Sequence, residues 1–145
     1  MASGVTNYLW NNLIINFLLR GVTFQSATTK PYTTLYVAIY TATPSDSTAG
    51  TEVTAGQWTN YARVAITIGT GAFAAGSGGS TGNSALIDFG TSSGGSGAAC
   101  TQWGLIDSAS GAGNLLMWGD LTTPQTVSSG NPASFAIGAL VLAGT

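Results

Sequence analysis

The sequence predicts a mainly β protein, an antiparallel β-sandwich or jelly-roll-like barrel with one N-terminal amphipathic helix. Three observations predict it. Apolar residues alternate with a period of two in several short runs after residue 33. Gly, Ser, Thr, Asn and Pro cluster between those runs, which reads as strands separated by turns. A helical period is confined to the start of the chain. The 145 residues suit a single domain, 1–145, with the helix inside 1–21 and the sandwich over 22–145.

The helix is expected over residues 6–20. Thr6 or Asn7 can cap its start. Leu9, Leu13 and Phe17 recur at every fourth position, flanked by Trp10, Ile14 and Leu18, while Asn12, Asn16 and Arg20 fall on the opposite side. Arg20 suits the negative helix C-terminus, and Gly21 suits a left-handed residue beyond it. A helix this short needs a surface to dock on. One face of a sheet in the same chain is the expected dock, with a neighbouring subunit as the alternative.

The strands follow in order. In Thr33 to Thr43 both alternating faces are apolar (Leu35, Val37, Ile39 against Tyr36, Ala38, Tyr40), so this strand is expected to be central and covered on both sides. Tyr61 to Ile68 is the next, with Val64, Ile66 and Ile68 on one face. Gly69 to Gly82 reads as a long flexible loop or lid, and Gly90 to Gly97 as a second Gly/Ser tract, with a short strand at Ala85 to Phe89 between them. Thr101 to Ile106 and Leu115 to Trp118 flank a Gly/Asn link and predict a hairpin. Leu121 to Pro124 is a turn or an edge, because proline cannot donate to a ladder. Gln125 to Val127 and Ser134 to Leu142 complete about seven strands.

Composition narrows the function. Charged residues make up 6% of the chain, against a usual ~25%, beside 44% hydrophobic residues. Two readings are open: hydroxyl and amide side chains supply the polar surface, or much of the surface is hidden in an assembly, since interface centres are poor in charge. The net charge is −2, and the cations Arg20, Lys30 and Arg63 are scattered. That argues against nucleic acid and against a membrane surface. No signal peptide and no apolar run of about 18 residues is read in the chain. Synthesis in the cytoplasm is the expectation.

Catalytic chemistry finds little to work with. Histidine is absent, which removes the commonest acid–base group and metal ligand. Cys100 has no second cysteine to pair with and no histidine to activate it. The carboxylates Asp46, Glu52, Asp88, Asp107 and Asp120 sit in no recognisable motif; Asp46 and Glu52 share a loop but lack calcium-loop spacing. The tract Gly76 to Gly82 has no lysine and opens no helix, so it fails as a phosphate cradle. No catalytic, cofactor-binding or metal-ligating residue is therefore expected. Trp58, Trp103, Trp118 and Tyr61 are read as core or interface, with a sugar-stacking platform as the alternative. Arg63, one of three cations, is expected to pair with a carboxylate or with backbone carbonyls at a loop or subunit contact; a solvent-facing strand position is the other reading. The candidate interface residues are Leu9, Leu13, Phe17, Arg63, Trp58 and Trp103.

The order of segments resembles a specific family. The helix ends Leu18-Leu19-Arg20-Gly21, and the strand Leu35-Tyr36-Val37-Ala38-Ile39-Tyr40-Thr41 follows. Then come Thr51-Glu52-Val53, Tyr61-Ala62-Arg63-Val64, the run Gly113 to Pro124, and a closing strand from Phe135. In these segments the chain resembles small tailed-phage virion proteins of the head-decoration (cement) and tail-fibre-like kind. The Gly/Ser inserts at 76–82 and 90–97 depart from that pattern. The resemblance implies a non-catalytic β-sandwich on the virion, often a symmetric oligomer. The first expectation is a capsid decoration or cement protein on the outer capsid surface, a homo-oligomer (a trimer favoured) whose partner is the major capsid protein. The alternative is a tail-fibre or tail-tip component contacting host surface glycans.

Overall fold

The computed structural model describes residues 10–21, 32–44 and 50–143, and only the backbone of the helix's first four residues. Thr6, Asn7, Leu9, Lys30 and Asp46 lie outside the described residues, as does the side chain of Leu13. The chain is mainly β and its strands pair antiparallel, as the period-two runs predict. It folds as two compact units, each assembled from separated segments: Leu35–Ile66 with Asp88–Ser134, and Met1–Thr34 with Thr67–Ile87 and Phe135–Thr145.

The larger unit is built on one sheet. Strand β1 (Thr34–Ala42) lies inside it, paired with β2 (Thr51–Glu52), β3 (Val64–Thr67) and β6 (Ala98–Ile106); β6 continues to β7 (Leu115–Val127) at the edge. The central position expected for β1 is thus borne out, and Leu35, Val37, Ala38, Ile39 and Tyr40 are all buried. β6 and β7 form the expected hairpin, in register Trp103↔Gly119 and Gly104↔Trp118. Two glycines make this packing possible. A Cβ on Gly119 would stand 2.8 Å from Cζ2 of Trp103, and one on Gly104 would stand 2.6 Å from Cδ1 of Leu115. The Trp103 ring therefore lies across a strand position that has no side chain.

β7 runs on through Pro124, which the sequence assigns to a turn or edge. Both halves of that expectation have a counterpart. β7 is an edge strand, and between Gln102↔Asp120 and Cys100↔Gln125 it carries residues 121–124 against the single Thr101, a wide bulge in which proline forfeits no ladder bond.

The Gly/Ser tracts are a correction. Residues 90–97 are tied down rather than loose: Gly94 O accepts from Thr59 N at 3.0 Å, and Gly97 N donates to Gln57 O at 3.0 Å. Gly95 rests directly on the Gln57 carbonyl, with φ +111°, a conformation and a clearance that only glycine offers. The glycines serve close backbone approach here, not flexibility. Strand β5 (Ile87–Thr91) pairs with β8 (Pro132–Phe135), and Ser92 N donating to Asn131 O continues that contact.

The smaller unit contains the helix, Trp10–Leu19, and a two-stranded sheet of β4 (Ser80–Gly82) with β9 (Val141–Ala143). The helix differs from expectation in winding and in buried face. Its turns are π-helical, as in Arg20 N donating to Ile15 O at 3.0 Å. Ile15 and Leu19 are fully buried while Phe17 is half-buried. The apolar pattern wraps most of the way round this helix, and the fold uses the side away from Phe17. The polar row still serves: Arg20 Nη1 donates to Asn16 Oδ1 at 2.8 Å, and its Nε to Phe73 O at 3.1 Å. Phe73, in the tract read as a flexible lid, is fully buried, and residues 73–83 form bridges and strand β4.

The expected last strand, Ser134 to Leu142, is broken in two by a turn. Gly138 adopts φ +77° and Ala139 N donates to Ala136 O. One buried side chain fixes this turn. Asn83 Nδ2 donates to Ala136 O (2.9 Å) and to Ala85 O (2.7 Å), and its Oδ1 accepts from Leu140 N (2.9 Å). Its backbone N donates to Leu140 O, and its backbone O accepts from Gly138 N. The periodicity of 134–142 gave no warning, because the competing hydrogen bonds come from a residue more than fifty positions away.

Gly95→Ala is expected to destabilise the protein by more than about 2 kcal/mol, from clash and backbone strain together. Gly130→Ala has φ +85° but open space and should cost only about 1 kcal/mol. Urea unfolding of both variants checks the contrast.

Candidate functional site

The most concentrated polar chemistry of the larger unit gathers on Arg63, immediately before β3. Its Nη2 donates to Glu52 Oε2 at 2.7 Å and its Nε to Glu52 Oε1 at 2.9 Å, a two-pronged ion pair. The remaining donors reach the β6–β7 connection: Nη1 to Ser108 O at 2.8 Å and Nη2 to Gly111 O at 3.0 Å. The Arg63 side chain is 8% exposed and that of Glu52 22%. Both partners foreseen from the sequence, a carboxylate and backbone carbonyls, are present. The solvent-facing reading is not borne out.

Glu52 is placed by β2, opposite Tyr40 on β1. Tyr61 completes the node: its hydroxyl donates to Glu52 Oε1 at 2.9 Å and accepts from Ile39 N, in the middle of β1, at 3.1 Å. One cation thus joins β2, β1, the approach to β3 and the β6–β7 loop. Burial pushes the Tyr61 phenol far above its ordinary value, opposed by the Ile39 N–H and reinforced by Glu52. Burial also raises Tyr40, with Glu52 adding to the rise and Arg63 opposing it. The hydrogen-bonded Glu52 holds the Arg63 guanidinium above its usual value despite desolvation. Its fork geometry and permanent charge suit it to the position.

The aromatic residues form a core cluster. Trp58 is fully buried, 5.9 Å from Tyr61 and 6.4 Å from Phe89 between ring centroids, and Tyr61 stacks on Phe89 at 6.1 Å. Trp58 Nε1 donates to Asn60 Oδ1, which also accepts from Ser93 N. Trp103 is buried as well, so neither ring is free to stack on a sugar; Trp118, at 39% exposure, is the more accessible. Of the residues weighed as interface, Trp58, Trp103 and Arg63 make internal contacts, Phe17 is half-buried, and Leu9 and the Leu13 side chain are not described.

The described carboxylates each hold structure. Asp107 accepts from the backbone N and the Nδ2 of Asn114, which lowers its pKa and closes the β6–β7 loop. Asp88 accepts from Gly90 N, and Asp120 from Gln102 Nε2. Among the described residues no group of three or more His, Cys, Asp or Glu could hold a metal ion. Sequence reasoning missed Tyr61 as a hydrogen-bonding member of the node, and it missed Asn60 and Asn83 altogether. A buried Asn between two glycine-rich tracts was the available signal, since such a residue must find partners.

These features define a β-rich structural scaffold whose ionisable groups organise its own loops. A family model described as Podophage GP4 fiber I protein gp80 matches residues 4–143. The chain belongs to that family and is a fibre-type structural protein of the bacteriophage virion. No curated protein matches it.

Arg63→Ala should cost about 2–3 kcal/mol, less than a fully buried pair because Glu52 is partly solvated. Arg63→Lys should recover only part of that, since an ammonium cannot serve the carboxylate and two carbonyls together. In a double-mutant cycle with Glu52→Ala the losses should fall short of additive. Denaturant unfolding measures each.

Alkaline pH tests the buried acids. Burial raises Cys100 from 9.0 to about 11, and Tyr40 and Tyr61 lie above 10.0. The native state thus keeps protons that the unfolded chain releases, so stability is intact below pH 9.0 and falls as pH rises through the folded values. A phenolate absorbance titration should show Tyr61 ionising only with global unfolding; ionisation of every tyrosine in the folded protein would contradict this.

Proposed function

We propose that this protein is a subunit of a podophage fibre, a non-catalytic structural module that works by packing against copies of itself and neighbouring virion proteins. The family match over nearly the whole chain carries the reading. Two features support it. The described carboxylates are all hydrogen-bonded to protein groups that hold strands and loops together, and a chain with 6% charged residues presents faces suited to burial between subunits. Head decoration, on the outer capsid with the major capsid protein as partner, is the rival assignment. A glycan-contact role for the fibre rests on the exposed ring of Trp118 rather than on Trp58 or Trp103.

Stoichiometry separates fibre from head. Quantitative mass spectrometry of purified particles should find this chain in the small copy number of a tail appendage. Copy number in proportion to the major capsid protein would overturn the fibre assignment. Electron micrographs of particles lacking the chain should likewise show missing appendages on an unchanged head.

A further inference from the structure

β7 presents an indole and a carboxylate side by side on one face of its sheet. Trp118 pairs with Gly104 and Asp120 with Gln102 in unbroken register, so the two side chains share a face, about 7 Å apart along the strand. Both are exposed. Gly119 between them has no side chain, and the buried Trp103 ring lies against it on the opposite face. That ring backs the chain at 118–120, so the exposed pair stands on a packed support. The carboxylate is also held in position. Gln102 is buried, and its Oε1 accepts from the Thr101 hydroxyl, which leaves its Nε2 to donate to Asp120 Oδ1 at 3.2 Å. This is the one hydrogen bond of the Asp120 carboxylate among the described residues, and no cation pairs with it there. A carboxylate has about four lone-pair sites, so most of its acceptor capacity is unused.

An exposed ring beside an unpaired carboxylate suits a planar cation. A guanidinium can lie on the indole face and donate two N–H groups to the carboxylate in one pose. An ammonium meets both only as a point charge. Charge complementarity says where the cation comes from. The chain has a net charge of −2 and three cations. Arg20 donates to Asn16 and Phe73, and Arg63 to Glu52, Ser108 and Gly111. Another copy therefore has Lys30 alone to offer, and the arginine must come from a different protein. Trp and Arg are the residues in which interface binding energy concentrates, surrounded by a polar rim. Exposed Thr122, Thr123, Gln125 and Thr126 supply uncharged polar groups farther along β7.

We propose that Trp118 and Asp120 receive an arginine side chain of a different virion protein, held on β7 by stacking and a two-pronged ion pair. This rests on the reading of the chain as one subunit among other virion proteins. The test is an NMR titration of the purified full chain with N-acetylarginine methylamide, read at the Trp118 indole N–H and the Gln102 side-chain amide. Both resonances should shift and saturate, while the indole of fully buried Trp58 stays in place. The citrulline analogue, which keeps the shape and lacks the charge, should bind about tenfold more weakly, with the lysine analogue between the two. Asp120→Asn and Trp118→Leu should each weaken binding about fivefold, with unchanged circular dichroism spectra. Raised salt should weaken it too, because the ion pair is exposed. No shift with the arginine probe, equal binding of the citrulline analogue, or binding untouched by Asp120→Asn would overturn the proposal. So would either rival occupant: shifts with methyl glucoside but not with arginine make the ring a sugar platform, and self-association lost in Lys30→Ala makes the partner a second copy. None of these results bears on copy number per particle, so the fibre assignment stands or falls separately.

Discussion

A β protein with very few ionisable groups must order its loops by hydrogen bonds from a small number of buried polar side chains. In the larger unit that task falls to the Arg63–Glu52 pair. The guanidinium has five donors in a fixed fork, and here they bind one carboxylate and two loop carbonyls. Without it, the Glu52 charge and the carbonyls of Ser108 and Gly111 would each lose a charge-assisted partner, and the β6–β7 loop would lose its tie to β2. Tyr61 extends the same node to the backbone of β1. The ion pair acts less as a source of net stability, which partly buried pairs seldom supply, than as a geometric fastener between a central strand and a long hairpin loop.

The smaller unit applies the same economy with a neutral group. Asn83 has two amide donors and one carbonyl acceptor, and all three are used on the backbone of other segments. An amide suits this position where a charge would not, because no counter-ion lies in 67–87 or 135–143. Asn60 repeats the device next to Trp58, joining Thr91 and Ser93. Glycine makes these fasteners effective. Gly95 lets one loop rest on the Gln57–Trp58 backbone, and Gly82 lets a strand meet the Gly138 turn. The glycine-rich tracts are therefore close-contact surfaces, and their order comes from partners distant in sequence.

This division explains what the sequence revealed. Strands with local signals were legible. The two apolar faces of Leu35 to Tyr40 announced a central strand, and the runs around Asp107 and Asn114 announced a hairpin, because alternation and turn chemistry are properties of neighbouring residues. Arg63 was half legible: the sequence offered pairing with a carboxylate or carbonyls and a solvent-facing strand position, and only the fold, by bringing Glu52, Ser108 and Gly111 to it, decides between them. The order of 69–82 and 90–97 was not, because glycine and serine carry no periodicity and what fixes them lies outside the tracts: Arg20 and β9 for the first, Asn60 and the Gln57 backbone for the second. The break at Gly138 was hidden by an alternation that continues through it. The buried helix face was misjudged because an apolar pattern on nearly every side offers no contrast from which to choose.

The edge strand β7 and the exposed aliphatics beside Asn83 (Leu86, Ile137 and Val141) are built in different ways. β7 is a thirteen-residue edge strand, and a long edge invites indiscriminate pairing with other chains. It carries Asp120 and Pro124, and residues 121–124 bulge out of register with β6. Charge, proline and bulge are the means by which natural sheets blunt an edge. The aliphatics beside Asn83 are held differently: Asp88 stands two residues after Leu86, and the backbone that carries them is locked rather than distorted. A blunted edge matters for a virion protein, because open edge pairing propagates without limit, whereas an assembly of fixed copy number needs contacts that close.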